Sequence, residues 1–169
     1  ADRQTAGRGR REVGGARRVW FSPPGANIYA SVLLRPEVDA AAAAPMTLAA
    51  ALGVRRALVA AGVPGDDLWI KWPNDLYMGD LKLGGILTEG ALTGADLSGV
   101  IIGLGLNVNL ASEAIPEELS EIATSLLITT GRHWDRMNLM LALRSEILAA
   151  CGEVAAQGLT PQMLAELRS

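Results

Sequence analysis

The two lysines of this chain lie in one short stretch, although thirteen arginines supply the rest of its basic charge. Lys71 and Lys82 flank an Asn-Asp pair within the run KWPNDLYMGDLKLGG. A lysine is a compact, mobile point charge with three donors, whereas an arginine is a planar fork. The retained lysines therefore indicate that a point charge is needed beside these residues. Gly84 and Gly85, which end the run, allow backbone to approach a ligand closely.

A second cluster of residues that could do chemistry opens the chain. The run GRGRR, residues 7–11, combines backbone N–H groups with three fixed cations and could close over a phosphate. Residues 1–18 show no hydrophobic periodicity, which predicts a loop. Residues 1–20 carry six arginines and two acids, a charge of +4, and the remaining residues carry nine basic and sixteen acidic side chains, a charge of −7. This distribution favours a local anion site over a broad nucleic-acid surface.

Four sequence motifs occur in an order that resembles one known family. They are the opening ADRQTAGRGRR, the stretch RRVWFSPPGANIY, the pair KWPND and KLGGIL, and the segment GLGLNVN. Together they resemble the biotin protein ligases, which attach biotin to carboxylases, over most of residues 1–130. The resemblance implies that biotin and ATP are converted to biotinoyl-5′-AMP, with Mg²⁺ on the phosphates. Biotin would then pass to a lysine of a biotin carboxyl carrier domain.

The resemblance also implies roles for individual residues. Lys82 and Arg10 match catalytic cations, and Lys82 would reach the biotin carboxylate and the bridging phosphate oxygen. Positions that match biotin contacts are Gln4, Gly7, Arg8, Arg10, Lys82, Gly84 and Gly85. Positions that match nucleotide contacts are Arg18, Trp20, Asn74, Lys82 and Asn107. Trp20 is expected to stack on adenine, with core packing as its structural alternative. Asp75 is expected to hold Mg²⁺ or to orient Lys82, with a plain turn residue as the alternative.

The sequence departs from the family pattern in three places. Residues 12–16 are inserted before Arg17, which leaves the register of Arg17 and Arg18 on a ligand open. The strand and helix that carry the family's Ser/Thr pair for the ureido ring of biotin have no match. The small SH3-like C-terminal β-barrel of the family also has no match. We therefore expect one domain over residues 1–169, a biotin ligase catalytic domain that lacks its first strand and helix and its barrel.

The elements expected to position these residues form an α+β fold. Predicted strands cover residues 27–34, 68–72, 76–78, 82–92 and 97–108, and predicted helices cover residues 45–61 and 120–130 and begin again after Asp135 and at Pro161. A hairpin turn is predicted at Gly79-Asp80. This order predicts a mostly antiparallel sheet with helices packed on it. The resemblance implies the same architecture, a class II synthetase-like fold.

Composition and motif content argue against several other classes of protein. The chain has no GxSxG, CxxC or Walker A motif. Its longest apolar-rich run, residues 40–54, is too short to span a membrane. Cys151 is the sole cysteine, so no internal disulfide can form and a reducing, cytoplasmic compartment is expected. His133 is the only histidine and has no cysteine or histidine companions for a metal site.

Two alternative functions stay open at this point. A lipoate ligase or another acyl-adenylating transferase would share the fold, although lipoate enzymes usually carry an RRxSGGGxVxHD motif that this chain lacks. A non-catalytic biotin or nucleotide sensor need not keep phosphate-side residues, so Lys82 and Asn74 favour an enzyme. The expected partners are a biotin carboxyl carrier domain and, through a sheet edge, a second copy of the chain. No membrane is expected, and nucleic acid only through a DNA-binding domain outside these residues.

Overall fold

The computed structural model describes residues 7–11, 17–35, 43–93 and 96–168. Its strands are β1 (Gly7–Arg11), β2 (Arg17–Trp20), β3 (Ile28–Leu34), β4 (Leu68–Lys71), β5 (Asp75–Met78), β6 (Leu81–Thr93) and β7 (Asp96–Leu106). Its α-helices are α1 (Ala43–Ala60), α2 (Leu126–Thr130), α3 (Arg136–Gln157) and α4 (Pro161–Glu166). Within these residues, no helix combines the length and the apolar character that crossing a membrane requires.

A five-stranded antiparallel sheet forms the centre of the molecule, with the strand order β3-β7-β6-β5-β4. One face of the sheet packs against α1, and α3 packs on α1. The other face, which we call the open face, is the side of the sheet away from α1. The core between sheet and helices includes Leu52, Leu58, Leu68, Leu76, Ile86, Ile102 and Leu143, all below 3% exposed. This architecture confirms the predicted α+β fold with a mostly antiparallel sheet.

Helix α1 is buried on several sides, and seven of its eighteen residues are alanine. Ala49, Ala50 and Ala51 are fully buried. Gly53 marks its closest approach to α3, since a Cβ atom there would lie 2.6 Å from the carbonyl oxygen of Glu146. The missing side chain therefore sets the distance between the two helices.

The helices after residue 130 largely follow their predicted signals. The Asp135 carboxylate accepts hydrogen bonds from the backbone N–H groups of Met137 and Asn138 and so caps α3. The residues that this helix buries on one face include Leu139, Leu143, Ile147, Ala150 and Val154. Helix α4 begins with Pro161 at its first turn, and the Thr160 side chain caps it. These predictions are confirmed.

The loop predicted over residues 1–18 is wrong for part of that range. Strands β1 and β2 pair antiparallel, with Gly7 opposite Trp20 and Arg8 opposite Val19. Hydrophobic periodicity detects a strand that buries one face in a core, and a two-stranded ribbon rich in arginine and glycine lacks that signal. The inserted residues 12–16 and the candidate biotin contact Gln4 lie outside the described residues.

The helix predicted over residues 120–130 begins later than expected. Helix α2 starts at Leu126, and the Ser125 hydroxyl caps it by accepting from the N–H of Ile128 at 3.1 Å. The residues before it form backbone hydrogen bonds with strand β6 through Lys82. Because these N–H and C=O groups bond to a strand, they cannot join a helical ladder.

Candidate active site

A β-bulge places Lys82 on the open face of the sheet. In the β5–β6 ladder Asp75 pairs with Gly85, but Tyr77 pairs with Lys82, so β6 has one extra residue, Leu83. Asp75 and Tyr77 are two residues apart on β5, and side chains two apart in a strand point to the same face of the sheet. Their partners Gly85 and Lys82 share it as well, although they are three residues apart. The bulge thus redirects the Lys82 side chain out of the core-facing row.

The backbone of Lys82 is held on its other side by the segment before α2. Its N–H donates to the carbonyl oxygen of Ile122, and its carbonyl oxygen accepts from the N–H of Thr124, both at 2.9 Å. These bonds form an isolated parallel bridge between Lys82 and Ala123. The α-carbon of Lys82 is therefore fixed between β5 and this segment, and only the side chain is free to turn.

The Lys82 ammonium group forms an ion pair with Asp75. Nζ lies 2.7 Å from Oδ1, a short distance typical of a charge-assisted hydrogen bond. The two side chains are only 29% and 27% exposed. This is the geometry that an orienting role for Asp75 requires, and its catalytic consequence stays a prediction.

Trp20 lies over two glycines of the open face. Gly85 and Gly105 stand opposite each other on β6 and β7. A Cβ atom on Gly105 would lie 3.0 Å from Cε2 of the indole, and one on Gly85 would lie 3.3 Å from its Cζ3. The Lys82 Nζ lies 5.2 Å from the ring centroid, within cation–π range. Among the described residues, the buried indole N–H has no hydrogen-bond acceptor.

Gly84 and Gly85 face opposite sides of the sheet, although both were expected to line the biotin pocket. A Cβ atom on Gly84 would lie 2.9 Å from the carbonyl oxygen of Gly105 and 3.1 Å from Cδ1 of Leu106. Gly84 therefore serves close packing between strands on the core side. Only Gly85 faces the open side, because adjacent residues of a strand alternate between faces.

Two asparagines expected to contact the nucleotide make structural hydrogen bonds. The Asn74 side chain donates to the Ile86 carbonyl at 2.7 Å, and the Asn74 carbonyl accepts from the Ile86 N–H at 2.8 Å. The buried Asn107 side chain donates to the Thr124 carbonyl at 2.9 Å and accepts from Asn27 at 3.2 Å. These bonds fix the strand ends that border the open face, and nucleotide binding by either residue stays a prediction.

A buried polar network around Asn27 is a feature that sequence reasoning missed. The Asn27 side-chain oxygen accepts from the N–H of Val108 at 2.9 Å, and its amide nitrogen donates to the Tyr29 hydroxyl at 3.0 Å. Arg136 donates to the Asn27 carbonyl at 3.1 Å. Burial raises the pKa of the Tyr29 hydroxyl. Asn27 and Tyr29 lie within one of the quoted motifs, but Asn107, Val108 and Arg136 are distant in sequence and only the fold brings them to Asn27.

Lys71 belongs to a different group of side chains than Lys82. It stands opposite Asp75 in the β4–β5 ladder, yet its Nζ lies 4.9 Å from the ring centroid of Tyr77 and 3.5 Å from the Tyr77 hydroxyl. Tyr77 also packs against Trp69, with ring centroids 5.0 Å apart. Lys71 therefore lies against an aromatic pair near the sheet edge.

The arginine-rich segment connects to this site through Trp20. Gly7, Arg8 and Arg10 lie on β1 and Arg18 lies on β2, the strand that ends at Trp20. The side chains of these arginines lie outside the described part of the structure. The structure therefore brings Lys82, Asp75, Gly85 and Trp20 together and places the backbone of the arginines on the adjoining hairpin.

Asp75 is the one candidate metal ligand named from the sequence. The described residues hold no group of three or more histidine, cysteine, aspartate or glutamate side chains that could bind a metal ion. Mg²⁺ at a nucleotide usually takes only one or two carboxylates together with phosphate oxygens and water. Asp75 is therefore chemically suitable as the protein's ligand to such an ion.

Comparison with known proteins gives consistent matches. The model of the biotin/lipoate A/B protein ligase family matches residues 1–107. The bifunctional ligase/repressor BirA of Bacillus spizizenii is 44% identical over 137 residues, which are 80% of this chain and 40% of that protein. The protein of the same name from Escherichia coli is 39% identical over 165 residues, which are 96% of this chain and 48% of that protein.

A solved structure matches the fold as well. The biotin protein ligase from Aquifex aeolicus in complex with biotin and ATP is 32% identical, with a TM-score of 0.68, and the match covers 83% of this chain and 56% of that chain. The chain thus spans about half the length of the relatives it matches. The family model, the relatives and the fold agree: this chain belongs to the biotin/lipoate A/B protein ligase family.

Proposed function

We propose that the protein is an ATP-dependent biotin protein ligase, which makes biotinoyl-5′-AMP and then transfers biotin to a lysine of a biotin carboxyl carrier domain. The observation that carries the proposal is the Lys82–Asp75 ion pair beside Trp20 and Gly85 on the open face. All four residues lie within the range that the family model matches. Relatives named as biotin–[acetyl-CoA-carboxylase] ligases support this choice of substrate.

In the first step, a carboxylate oxygen of biotin attacks the α-phosphorus of ATP. A new P–O bond forms, and the bond to the bridging oxygen breaks as pyrophosphate leaves. Negative charge builds on the phosphoryl oxygens, so a cation fixed nearby stabilises the transition state more than the ground state. Lys82 supplies this cation, and Asp75 keeps the ammonium group oriented. Asp75 is the residue that would hold Mg²⁺ at the phosphates, where the ion would neutralise part of their charge.

In the second step, the amine of the carrier lysine attacks the acyl carbon of the adenylate. The new C–N bond forms as the C–O bond to AMP breaks, and the amine loses one proton. The intermediate must be kept from water until the carrier arrives. The β1–β2 hairpin is suited to this because it carries Arg8, Arg10 and Arg18 and ends at Trp20, which covers Gly85 and Gly105 on the open face.

The nucleotide has a proposed place at the same face. Trp20 offers an aromatic surface for the adenine base. Asn74 and Asn107 lie at strand ends that border this surface and are proposed to contact the nucleotide. Their structural hydrogen bonds would then serve to hold them in position.

The proposed partners follow from the reaction. The acceptor is a biotin carboxyl carrier domain, and the substrates fit a cytoplasmic protein. A second copy of the chain is a further proposed partner because β3 and β4 are edge strands of the five-stranded sheet. Analytical ultracentrifugation with and without biotin would show a dimer, and a monomer at all concentrations tested would contradict this part.

The proposed reaction is tested by measuring pyrophosphate release and carrier labelling by the 169-residue chain with MgATP. Biotin should give both, with a biotin carboxyl carrier domain as acceptor. Release and labelling with lipoate in place of biotin would support the alternative lipoate ligase. Biotin binding by calorimetry without pyrophosphate release would support a sensor. No binding of either acid would contradict the proposal for this chain.

A further inference from the structure

The Trp20 indole rests on a surface that two facing glycines create. Gly85 and Gly105 stand opposite each other on β6 and β7, and a Cβ atom added to either would point to the open face. A Cβ atom on Gly105 would lie 3.0 Å from Cε2 and 3.2 Å from Nε1 of the indole. Contacts of this length are tighter than most Cβ contacts, so a side chain at either position would push the ring outward by a few tenths of an ångström.

The Lys82 ammonium group is held on two sides in this arrangement. Asp75 Oδ1 lies 2.7 Å from Nζ, and the Trp20 ring centroid lies 5.2 Å from it. A lysine side chain has four rotatable bonds, and one ion pair leaves many conformations of the stem accessible. A ring within cation–π range removes those in which the ammonium group turns away.

We propose that Trp20 is a positioning residue for Lys82, and that Gly85 and Gly105 leave the space in which the Trp20 indole packs. The indole then keeps the Lys82 ammonium group at one place before any ligand binds. This role goes beyond a contact between Trp20 and a nucleotide. It rests on the proposed function only for its effect on catalysis, whereas the positioning itself can be measured without substrates.

The experiment is competitive trace acetylation of the 169-residue chain, with Lys71 as the internal reference. The chain has only these two lysines, so mass spectrometry gives the Lys82-to-Lys71 labelling ratio directly. Trp20→Ala should raise this ratio by about two- to fivefold because the ammonium group is no longer held. Trp20→Phe keeps an aromatic face and should stay close to wild type, whereas Trp20→Leu should behave like Trp20→Ala.

A matched pair of glycine variants tests whether the missing side chain at Gly105 allows the Trp20 indole to pack there. Gly105→Ala should push the ring outward and raise the labelling ratio part of the way toward that of Trp20→Ala, and in the Trp20→Ala background it should add little. Gly103→Ala is the control on the same strand and face, because its Cβ would meet only Leu87 atoms at 3.5 and 3.9 Å. It should leave the ratio unchanged. Thermal unfolding confirms that each variant is folded.

Two outcomes would overturn the inference. One is equal protection of Lys82 in Trp20→Phe and Trp20→Leu, which would mean that Trp20 merely covers the lysine. The other is a Gly105→Ala ratio equal to that of Gly103→Ala. In the kinetic measurement, Trp20→Leu should lower kcat for adenylation more than it raises KM for biotin. If the variants show the expected labelling ratios but the wild-type chain does not adenylate biotin, the proposed function is contradicted and the positioning role of Trp20 stands.

Discussion

Lys82 reaches Asp75 across a position that has no side chain. The register partner of Asp75 on β6 is Gly85, not Lys82. A Cβ atom on Gly85 would lie 3.1 Å from Asp75 Oδ1 and 3.5 Å from Lys82 Cε. The 2.7 Å ion pair therefore depends on the bulge, which turns Lys82 to this face, and on the glycine, which leaves room for its side chain.

Replacing Asp75 should separate its two predicted roles. Asp75→Asn removes the carboxylate charge but keeps the shape, so Lys82 should lose its orientation and adenylation should slow by about tenfold or more. If the carboxylate orients Lys82, added Mg²⁺ should not restore the rate. Recovery of the wild-type rate at high Mg²⁺ would show instead that Asp75 binds the metal. Steady-state kinetics across a Mg²⁺ titration distinguishes the two.

The helix crossing at Gly53 should be intolerant of any side chain. Gly53→Ala places a methyl group 2.6 Å from the Glu146 carbonyl oxygen and 2.8 Å from the Ile147 α-carbon. We expect a loss of about 1–3 kcal/mol in the free energy of unfolding, measured by urea denaturation. Gly152→Ala on α3 is the matched control, because its Cβ would meet nothing within 4 Å. This change should stabilise by about 0.5–1 kcal/mol, since alanine is the better helix former. Equal effects of the two changes would contradict the close crossing.

An ion pair between α1 and α4 should make stability depend on acid pH. Arg56 donates two hydrogen bonds to Glu166, at 2.9 and 3.0 Å, and holds the pKa of that carboxyl below its usual value of 4.5. A depressed folded pKa adds stability above the unfolded value, and this stability is lost as pH falls below it. Glu166→Gln should therefore lower the free energy of unfolding by about 0.5–1 kcal/mol at pH 6 and by less at pH 3. A difference that does not change with pH would contradict this assignment.

The single cysteine should be unreactive in the folded protein. Cys151 is 2% exposed, and burial raises the pKa of its thiol to about 11. Since the thiolate is the reactive form, labelling by a disulfide reagent at pH 8 should be slow in buffer and fast in urea. The raised pKa also means that the thiol favours the folded state below about pH 9 and that this contribution is lost as pH rises toward 11. Complete labelling of the native protein within seconds would contradict this.

The order of strands and helices was predictable because its signals are local. The turn at Gly79-Asp80, the cap at Asp135 and the proline at 161 each act within a few residues. The site geometry was not predictable in this way. Simple alternation puts Lys82 and Gly85 on opposite faces, and only the pairing of β6 with β5 creates the bulge that joins them.

The central claim is that Lys82 is the cation that stabilises the phosphoryl transition state of biotin activation. The most direct measurement is the rate of biotin-dependent exchange between ATP and labelled pyrophosphate for Lys82→Ala, with Lys71→Ala as the control. The control removes the other lysine, whose Nζ lies by Tyr77. The account predicts that Lys82→Ala slows the exchange by roughly 10²–10³-fold, while Lys71→Ala stays within about threefold of wild type. A Lys82→Ala rate within about threefold of wild type would contradict it.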